Sequence, residues 1–439
     1  NLNLYKFNMN YLKFDNIDCF ELDNYLIKNF ETIDKCILVC KEIKLNLFVI
    51  NWKNKEVYFK NKNIKLCLQN IKFNKDTTLV IYDSKNSAPY LFKESNLLSF
   101  NERLKIYFPL LENDETKNII KLKWNQSRNL KEEKWIDDTK NPICNLKKIK
   151  KFLKNNIENG KSKDRLTQHY GNFNSWMNGF IKSYWIHYNK SNNFMFHLNP
   201  WDLSWSLDTP TFTKSRVLED PKNSVLLPFE NLYIPNYFTN ILNDDIPYDE
   251  KLNTCVWRGA NSGDFFGNKN RPNRRDLVIR HRFNEKYDIG LSYANYKYKS
   301  KTNEPWEHGN PEDYVRDIKT IKDQLKYKFI LSLEGNDIGT NLSWIMLSNS
   351  VLLMTKPFIE SWRVESKMKP YKHYVPLKKD FSDLDEIMNW CLKNDKKCKE
   401  IAFNSRLFAL QFFDISNEKK ICEEIIKKYY YFTMENQHT

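Results

Sequence analysis

Three stretches of this sequence combine residue types suited to charged or hydroxylated ligands. The first is WRGANSG at residues 257–263, followed by RPNRRD at residues 271–276. Arginine forks hold phosphate oxygens in pairs, and glycine lets backbone N–H groups come close to an anion. The second is EGNDIGTN at residues 334–341. Gly335 and Gly339 relax the backbone there, Thr340 and Asn341 offer donors at a helix start, and Glu334 or Asp337 can accept from ribose or sugar hydroxyls. The third is Asp202 in NPWDLSW, with Trp201 and Trp205 on either side. A carboxylate in that setting can act as a general base, and indole faces stack on sugar rings. Asp208, further along the same stretch, is the competing carboxylate.

Each stretch also has a plain structural reading. A basic turn is often only solvated, Asp337 can cap the helix that follows, and an Asp after Pro-Trp is commonly a turn residue. Two glycine-bearing loops at the same edge of one sheet are harder to dismiss. His169, His187, His197, His281, His308, His373 and His438 are too widely spaced for a metal pattern, and His373 in YKHYVPL reads as a packed residue at a strand start. The sequence contains no P-loop, no G-x-S-x-G elbow and no D-x-D at a strand end, so neither a metal nor another cofactor is expected.

The elements that must position these residues are most regular after residue 250. Strands are predicted at 254–257, 288–292, 328–333 and 350–355, alternating with helices from Asn273, Pro311 and Thr340. That alternation is the signature of a parallel α/β sheet. The helix from Asn273 carries Arg274 and Arg275 at its positive end, where a diphosphate is favoured. Asn310 reads as an N-cap ahead of Pro311, Ser382 with Asp385 as an approximate capping box, and the chain from Lys396 as closing helices. Upstream, short β-type runs at 47–50 and 79–82 sit among Lys/Asn-rich turns. A charged connector at 129–140 and a lysine-rich helix at 146–157 then lead to a strand at 194–198 that runs into NPWDLSW. The expected units are 1–145, without recognisable chemistry, then 146–250 and 251–439.

Composition narrows the class. With 439 residues, 41% of them hydrophobic, the chain is long and apolar enough for two or three packed domains, and its 10 glycines exclude a collagen-like repeat. Seventy basic residues against 55 acidic ones leave a net charge of +15, which favours phosphate-bearing or otherwise anionic partners. The apolar stretch at 344–354 is broken by Ser and Asn and falls short of a membrane span. Nine scattered cysteines without a C-x-x-C pair argue for a reducing compartment and against a disulfide frame or zinc ribbon. The chain opens on Asn1 rather than Met, which is compatible with an upstream segment.

Taken together, WRGANSG with NRRD, KFILSLEGNDIGTNLSWIMLSNSVLLM, and ESWRVESKMKPYKHYVPLKKDFSDLDEIMNWC resemble family 90 glycosyltransferases over roughly residues 146–413, most of all their bacterial lipopolysaccharide branch. The resemblance implies a GT-B-like α/β architecture of two Rossmann-like halves around a cleft, here with an additional N-terminal α/β or mainly β domain. It implies an inverting, metal-independent transfer in which Asp202 is the base. The spacing from Asp202 to FTKSR at 212–216 is shorter than in eukaryotic relatives and leaves Asp208 open. Arg258, Gly259 and Ser262 match the family's R-G-x-x-S-type turn, and Arg275 matches an arginine that contacts the donor diphosphate. Asp337, Thr340, Asn341 and Glu365 fall on the donor side, with Asn341 standing where eukaryotic relatives carry a second phosphate-binding arginine.

The expectation is therefore a cytoplasmic bacterial enzyme moving a sugar from a UDP-sugar to a surface glycan such as lipopolysaccharide, lipooligosaccharide or capsule. Its partners would be the UDP-sugar donor and a glycan or glycolipid acceptor, with peripheral contact to the anionic inner membrane and no nucleic acid. The alternative from another class is a non-catalytic basic protein that binds nucleic acid or anionic polysaccharide. Protein O-glycosylation is the third reading, and the cysteine pattern disfavours a disulfide-rich acceptor.

Overall fold

A computed structural model describes residues 11–19, 23–28, 47–60, 71–82, 98–109, 143–145, 195–199, 210–221, 223–227, 241–263, 272–293 and 310–434, with isolated positions between them. The site is organised by a five-stranded parallel sheet made of β11 (Leu252–Ala260), β12 (Asp288–Tyr293), β13 (Tyr327–Leu331), β14 (Val351–Thr355) and β16 (Val375–Leu377). Their order is β12-β11-β13-β14-β16. Parallel strands are covered on both faces, so they need continuous apolar runs. Cys255 to Trp257, Phe329 to Leu331 and Val351 to Met354 supply them and are buried.

The predicted strands all form, within a few residues of their expected limits. The helix from Asn273 also forms, as α2 (Arg274–His281), because the Asn273 side chain accepts from the Arg275 N–H and caps it. The helix expected from Thr340 is α3 (Leu342–Leu347). Two expectations are corrected. After Asn310 and its capping box the chain makes only a 3-10 turn, Pro311–Tyr314. The Ser382/Asp385 box does not form: Asp383 stands at the N-cap of α4 (Leu384–Lys393), Ser382 donates to Asp380, and Asp385 accepts from the Tyr287 hydroxyl at 2.6 Å.

The closing helices are α5 (Asp395–Leu410) and α6 (Ile415–Met434). Against them packs α1 (Phe100–Tyr107), which lies in the first of the three expected stretches. Arg103 forms a two-pronged ion pair with Glu418 at 2.5 Å, both side chains buried, and the Tyr107 hydroxyl donates to the Trp362 carbonyl at 2.7 Å. Further upstream, β1 (Tyr11–Cys19), β2 (Asp23–Lys28), β3 (Leu47–Asn51), β4 (Glu56–Lys60) and β5 (Ile71–Tyr82) make an antiparallel sheet ordered β1-β5-β3-β4-β2. Its Leu47, Val49 and Leu79 share one core with α1, α3 and α6.

A mixed sheet links the halves of the chain: β6 (Ile143–Asn145), β7 (Met195–Asn199), β8 (Thr211–Thr213) and β10 (Ser224–Leu226), ordered β10-β8-β7-β6. Strands β7, β8 and β10 are parallel and β6 is antiparallel. The Tyr429 hydroxyl on α6 donates to the Pro210 carbonyl and the Tyr429 ring stacks on Phe212, fixing this sheet against the C-terminal helices. The connector at 129–140 lies outside the described residues, as does most of the helix expected at 146–157.

Candidate functional site

From β11 the chain moves outward to β12 and then returns to the other side of β11 as β13. The strand order reverses between β11 and β13, and open α/β sheets bind ligands outside the carboxyl ends of the strands at such a switch point. The two segments that leave those carboxyl ends are the glycine-bearing loops singled out above, 261–263 and 332–341. Neither loop stands alone. Gly263 has φ +107°, and a Cβ added there would lie 2.9 Å from Gly335 Cα, so the two backbones touch in a way that only glycine allows. The Gly263 N–H donates to Asn336 Oδ1 at 3.0 Å.

Arg274, in the first turn of α2, spans both loops. Its guanidinium donates to the Ala260 carbonyl and Ser262 Oγ of one loop and to the Leu333 and Glu334 carbonyls of the other, at 2.9 to 3.3 Å. A Cβ on Gly335 would meet the Arg274 Cζ at 2.8 Å. The second loop is closed onto its strand by Asn341, whose side-chain amide donates to the Leu331 carbonyl and whose oxygen accepts from Ser332 Oγ. Thr340 is exposed at the loop's outer edge.

The opposite wall comes from FTKSR. Asn199 at the end of β7 pairs with Thr213 at the end of β8, so the carboxyl ends of these parallel strands are level. Lys214 follows and makes a buried ion pair with Asp337, 3.3 Å apart. Next in the chain, β9 (Ser215–Val217) pairs antiparallel with β15 (Ile359–Ser361), where Arg216 grips Glu360 through Nε and Nη2. Glu334 Oε1 accepts from the N–H groups of Phe358 and Ile359, which ties the β15 approach to the glycine loop. The carboxyl edge of the mixed sheet thus abuts the carboxyl edge of the parallel one. Asp202, three positions beyond Asn199, and Asp208 lie outside the described residues.

Glu365 stands beside this wall. It is buried and accepts from Ser361 N, Ser361 Oγ and, at 3.4 Å, Arg363 Nε. Burial pushes its carboxyl up, against the opposing pull of Arg363 and Ser361. Between Arg363 and Glu365, buried Val364 has φ +51°, a strained conformation for a β-branched residue, and it turns the chain so that these two charged side chains meet.

Arg258 has a different place from the one its motif suggests. All five of its N–H groups are taken: Nε by the Asp317 carbonyl, Nη1 by the carbonyls of Trp257 and Asp288, Nη2 by Asp288 Oδ1 at 2.7 Å and Asp317 Oδ1 at 3.0 Å. A diphosphate would have to displace those partners. Arg316, Lys319 and Tyr327 converge on the same Asp288. Burial alone would raise the Asp288 carboxyl, but hydrogen bonds from Tyr327 and Arg258 and the neighbouring cations hold it well below the usual carboxylate range. Gly259 serves packing, since a Cβ there would lie 2.6 Å from the Trp257 indole. Of the residues expected at the donor, the structure brings Ser262, Asp337 and Asn341 to the two locked loops, and Arg275 stands on the first turn of α2. Sequence reasoning assigned no separate parts to Arg274, Lys214 and Arg216; the only signal was their place in quoted motifs.

Among the described residues no group of His, Cys, Asp or Glu is arranged to hold a metal ion, and no helix is long and apolar enough to cross a membrane.

The fold defines a Rossmann-like α/β unit with two glycine loops locked together at the switch point of its parallel sheet. Residues 239–434 match the family described as Glycosyl transferase family 90. The chain is similar to "O-glucosyltransferase LpsA" of Dichelobacter nodosus, 31% identical over 231 residues that make up 52% of this chain and 64% of that one. It is also similar to "Protein O-glucosyltransferase 3" of Rattus norvegicus, 31% identical over 33% of this chain and 27% of that protein. "Protein O-glucosyltransferase 1" of the same animal is 25% identical over 46% of this chain and 51% of its own length. The chain therefore spans less than two thirds of each of these relatives.

Proposed function

We propose that this protein is an inverting glycosyltransferase that moves a sugar from a UDP-sugar to a bacterial surface glycan, lipopolysaccharide, lipooligosaccharide or capsule, at the cytoplasmic face of the inner membrane. The observation that carries the reading is the meeting of two glycine loops and an arginine-bearing helix start at the switch point of the parallel sheet, inside the family-matched region. In this reading the two sheets are the halves of a GT-B arrangement. The leaving diphosphate meets Arg275, the first turn of α2 and the Ser262 loop, and Asp337, Thr340 and Asn341 shape the other side of the donor. Glu365, held by Ser361 and Arg363, supports the wall.

An inverting displacement needs one carboxylate to take the proton from the acceptor hydroxyl as it attacks the anomeric carbon opposite the nucleotide. Asp202 has that role, with Asp208 the alternative. Negative charge grows on the departing diphosphate, where preorganised donors act most strongly. The guanidinium and helix start supply that stabilisation, so the reading gives no part to a metal or other cofactor.

Released UDP, measured across a panel of UDP-sugars, tests the proposal directly. Slow hydrolysis of at least one donor is expected, unaffected by a chelator. Asp202→Asn should abolish transfer and leave UDP affinity within about two-fold, since the base does not touch the leaving group. Loss on Asp208→Asn instead moves the base. A protein that neither binds UDP nor hydrolyses any UDP-sugar sinks the reading, and salt-sensitive retention of duplex DNA by such a protein would favour the basic binding protein.

A further inference from the structure

The two arginines of RPNRRD do different work. We propose that Arg274 is a positioning residue that holds the two glycine loops together at the switch point, beside the Arg275 that the reading above gives to the donor's phosphates. This rests on the UDP-sugar reading above.

Arg274 uses Nε, Nη1 and Nη2 on four acceptors drawn from two loops that are far apart in sequence, Ala260 and Ser262 on one side and Leu333 and Glu334 on the other. Three of those acceptors are backbone carbonyls, so the grip holds main chain directly. Gly335 lies against the guanidinium and Gly263 lies against Gly335, which leaves no slack between the strut and the loops. A planar fork can bridge acceptors in several directions at once, whereas a lysine ammonium is a point charge on a flexible stem and cannot replace it. Arg275 is one residue on, so its side chain leaves the helix roughly 100° further around. Its own N–H is held by Asn273 Oδ1 at 2.8 Å, which fixes the helix start beneath it, and the residue, like Arg274, is partly buried. A phosphate contact, unlike a strut, tolerates lysine because a compact positive charge satisfies it.

The two roles predict opposite patterns in calorimetric titrations of UDP and UMP into the full chain. Arg274→Lys and Arg274→Met should both lower the affinity for UDP and for UMP by about ten-fold, leaving their ratio unchanged, because the two loops part along their whole contact. Arg275→Met should reduce UDP affinity more than UMP affinity and collapse the ratio, and Arg275→Lys should keep most of it. Gly335→Ala presses on the same guanidinium from the loop side and should copy Arg274→Lys, which keeps the test open if Arg274→Met does not fold. Arg406→Met removes a buried guanidinium at Leu347 and Asn349, beyond the opposite end of the sheet, and should lower the urea midpoint without altering either affinity.

Wild-type affinity in Arg274→Lys overturns the inference. So does a loss in Arg274→Met confined to UDP, which would make Arg274 a phosphate ligand, or an equal loss in Arg406→Met, which would reduce the effect to general destabilisation. If the wild-type chain binds neither nucleotide, the UDP-sugar reading fails before the variants are compared.

Discussion

Replacing Arg258 by methionine separates a structural guanidinium from a ligand-binding one. Methionine keeps most of the stem's volume and removes five hydrogen bonds, two of them to carboxylates. The Asp317 carboxylate is 69% exposed and regains water at little cost. Asp288 keeps Arg316 at 3.0 Å, Lys319 at 3.2 Å and Tyr327 at 2.5 Å, so it is not stranded. The main loss is at the carbonyls of Trp257 and Asp288, and each orphaned buried acceptor costs about 1–3 kcal/mol. The sum, about 2–6 kcal/mol, brackets the range for breaking a buried ion pair.

Urea unfolding followed by tryptophan fluorescence should show that fall in stability at pH 7, with UDP affinity within about two-fold of wild type. The pH dependence carries a sign. Asp288 has a folded-state pKa below its unfolded value of about 3.9, so its stabilisation is present above that pH and lost as the pH falls through the folded value. Without Arg258 the folded value rises, and acid unfolding should begin at higher pH. An unchanged urea midpoint together with a loss of UDP affinity beyond ten-fold would refute the reasoning and return Arg258 to the diphosphate.

Gly263→Ala places a side chain at φ +107° and 2.9 Å from Gly335 Cα; strain of about 1–3 kcal/mol should part the loops and weaken UDP binding, which fluorescence titration can follow. Glu418→Gln leaves Arg103 buried without its counter-charge and should cost about 3–5 kcal/mol in urea unfolding while sparing UDP affinity. A double-mutant cycle on Lys214→Met and Asp337→Asn should return a coupling of about 0.5–3 kcal/mol, and a value near zero would mean that the two walls are not joined there.

The parallel sheet was legible because its strands are continuous apolar runs and the helix after β11 starts at an Asn cap, signals that depend on neighbours in the chain. Asn273 capped its helix for that reason, whereas Ser382 did not, since its hydroxyl donates to Asp380 while Asp383 accepts from the Lys378 N–H and Asp385 from the Tyr287 hydroxyl. The two glycine loops were legible as candidates because glycine after a buried strand is a local pattern. Their contact with one another was not, because Gly263 and Gly335 are brought together by the return of the chain across β11. Arg258 and Arg274 show the same limit: one reads as an anion-binding arginine beside glycine and the other as one at a helix start, and which acceptors each guanidinium reaches depends on strands and loops distant in sequence. Residue types and local order thus named the sheet, the loops and the basic helix start. The tertiary packing alone decided which arginine bridges the two loops and which belongs to the Asp288 network, because the acceptors around a guanidinium come from everywhere in the chain.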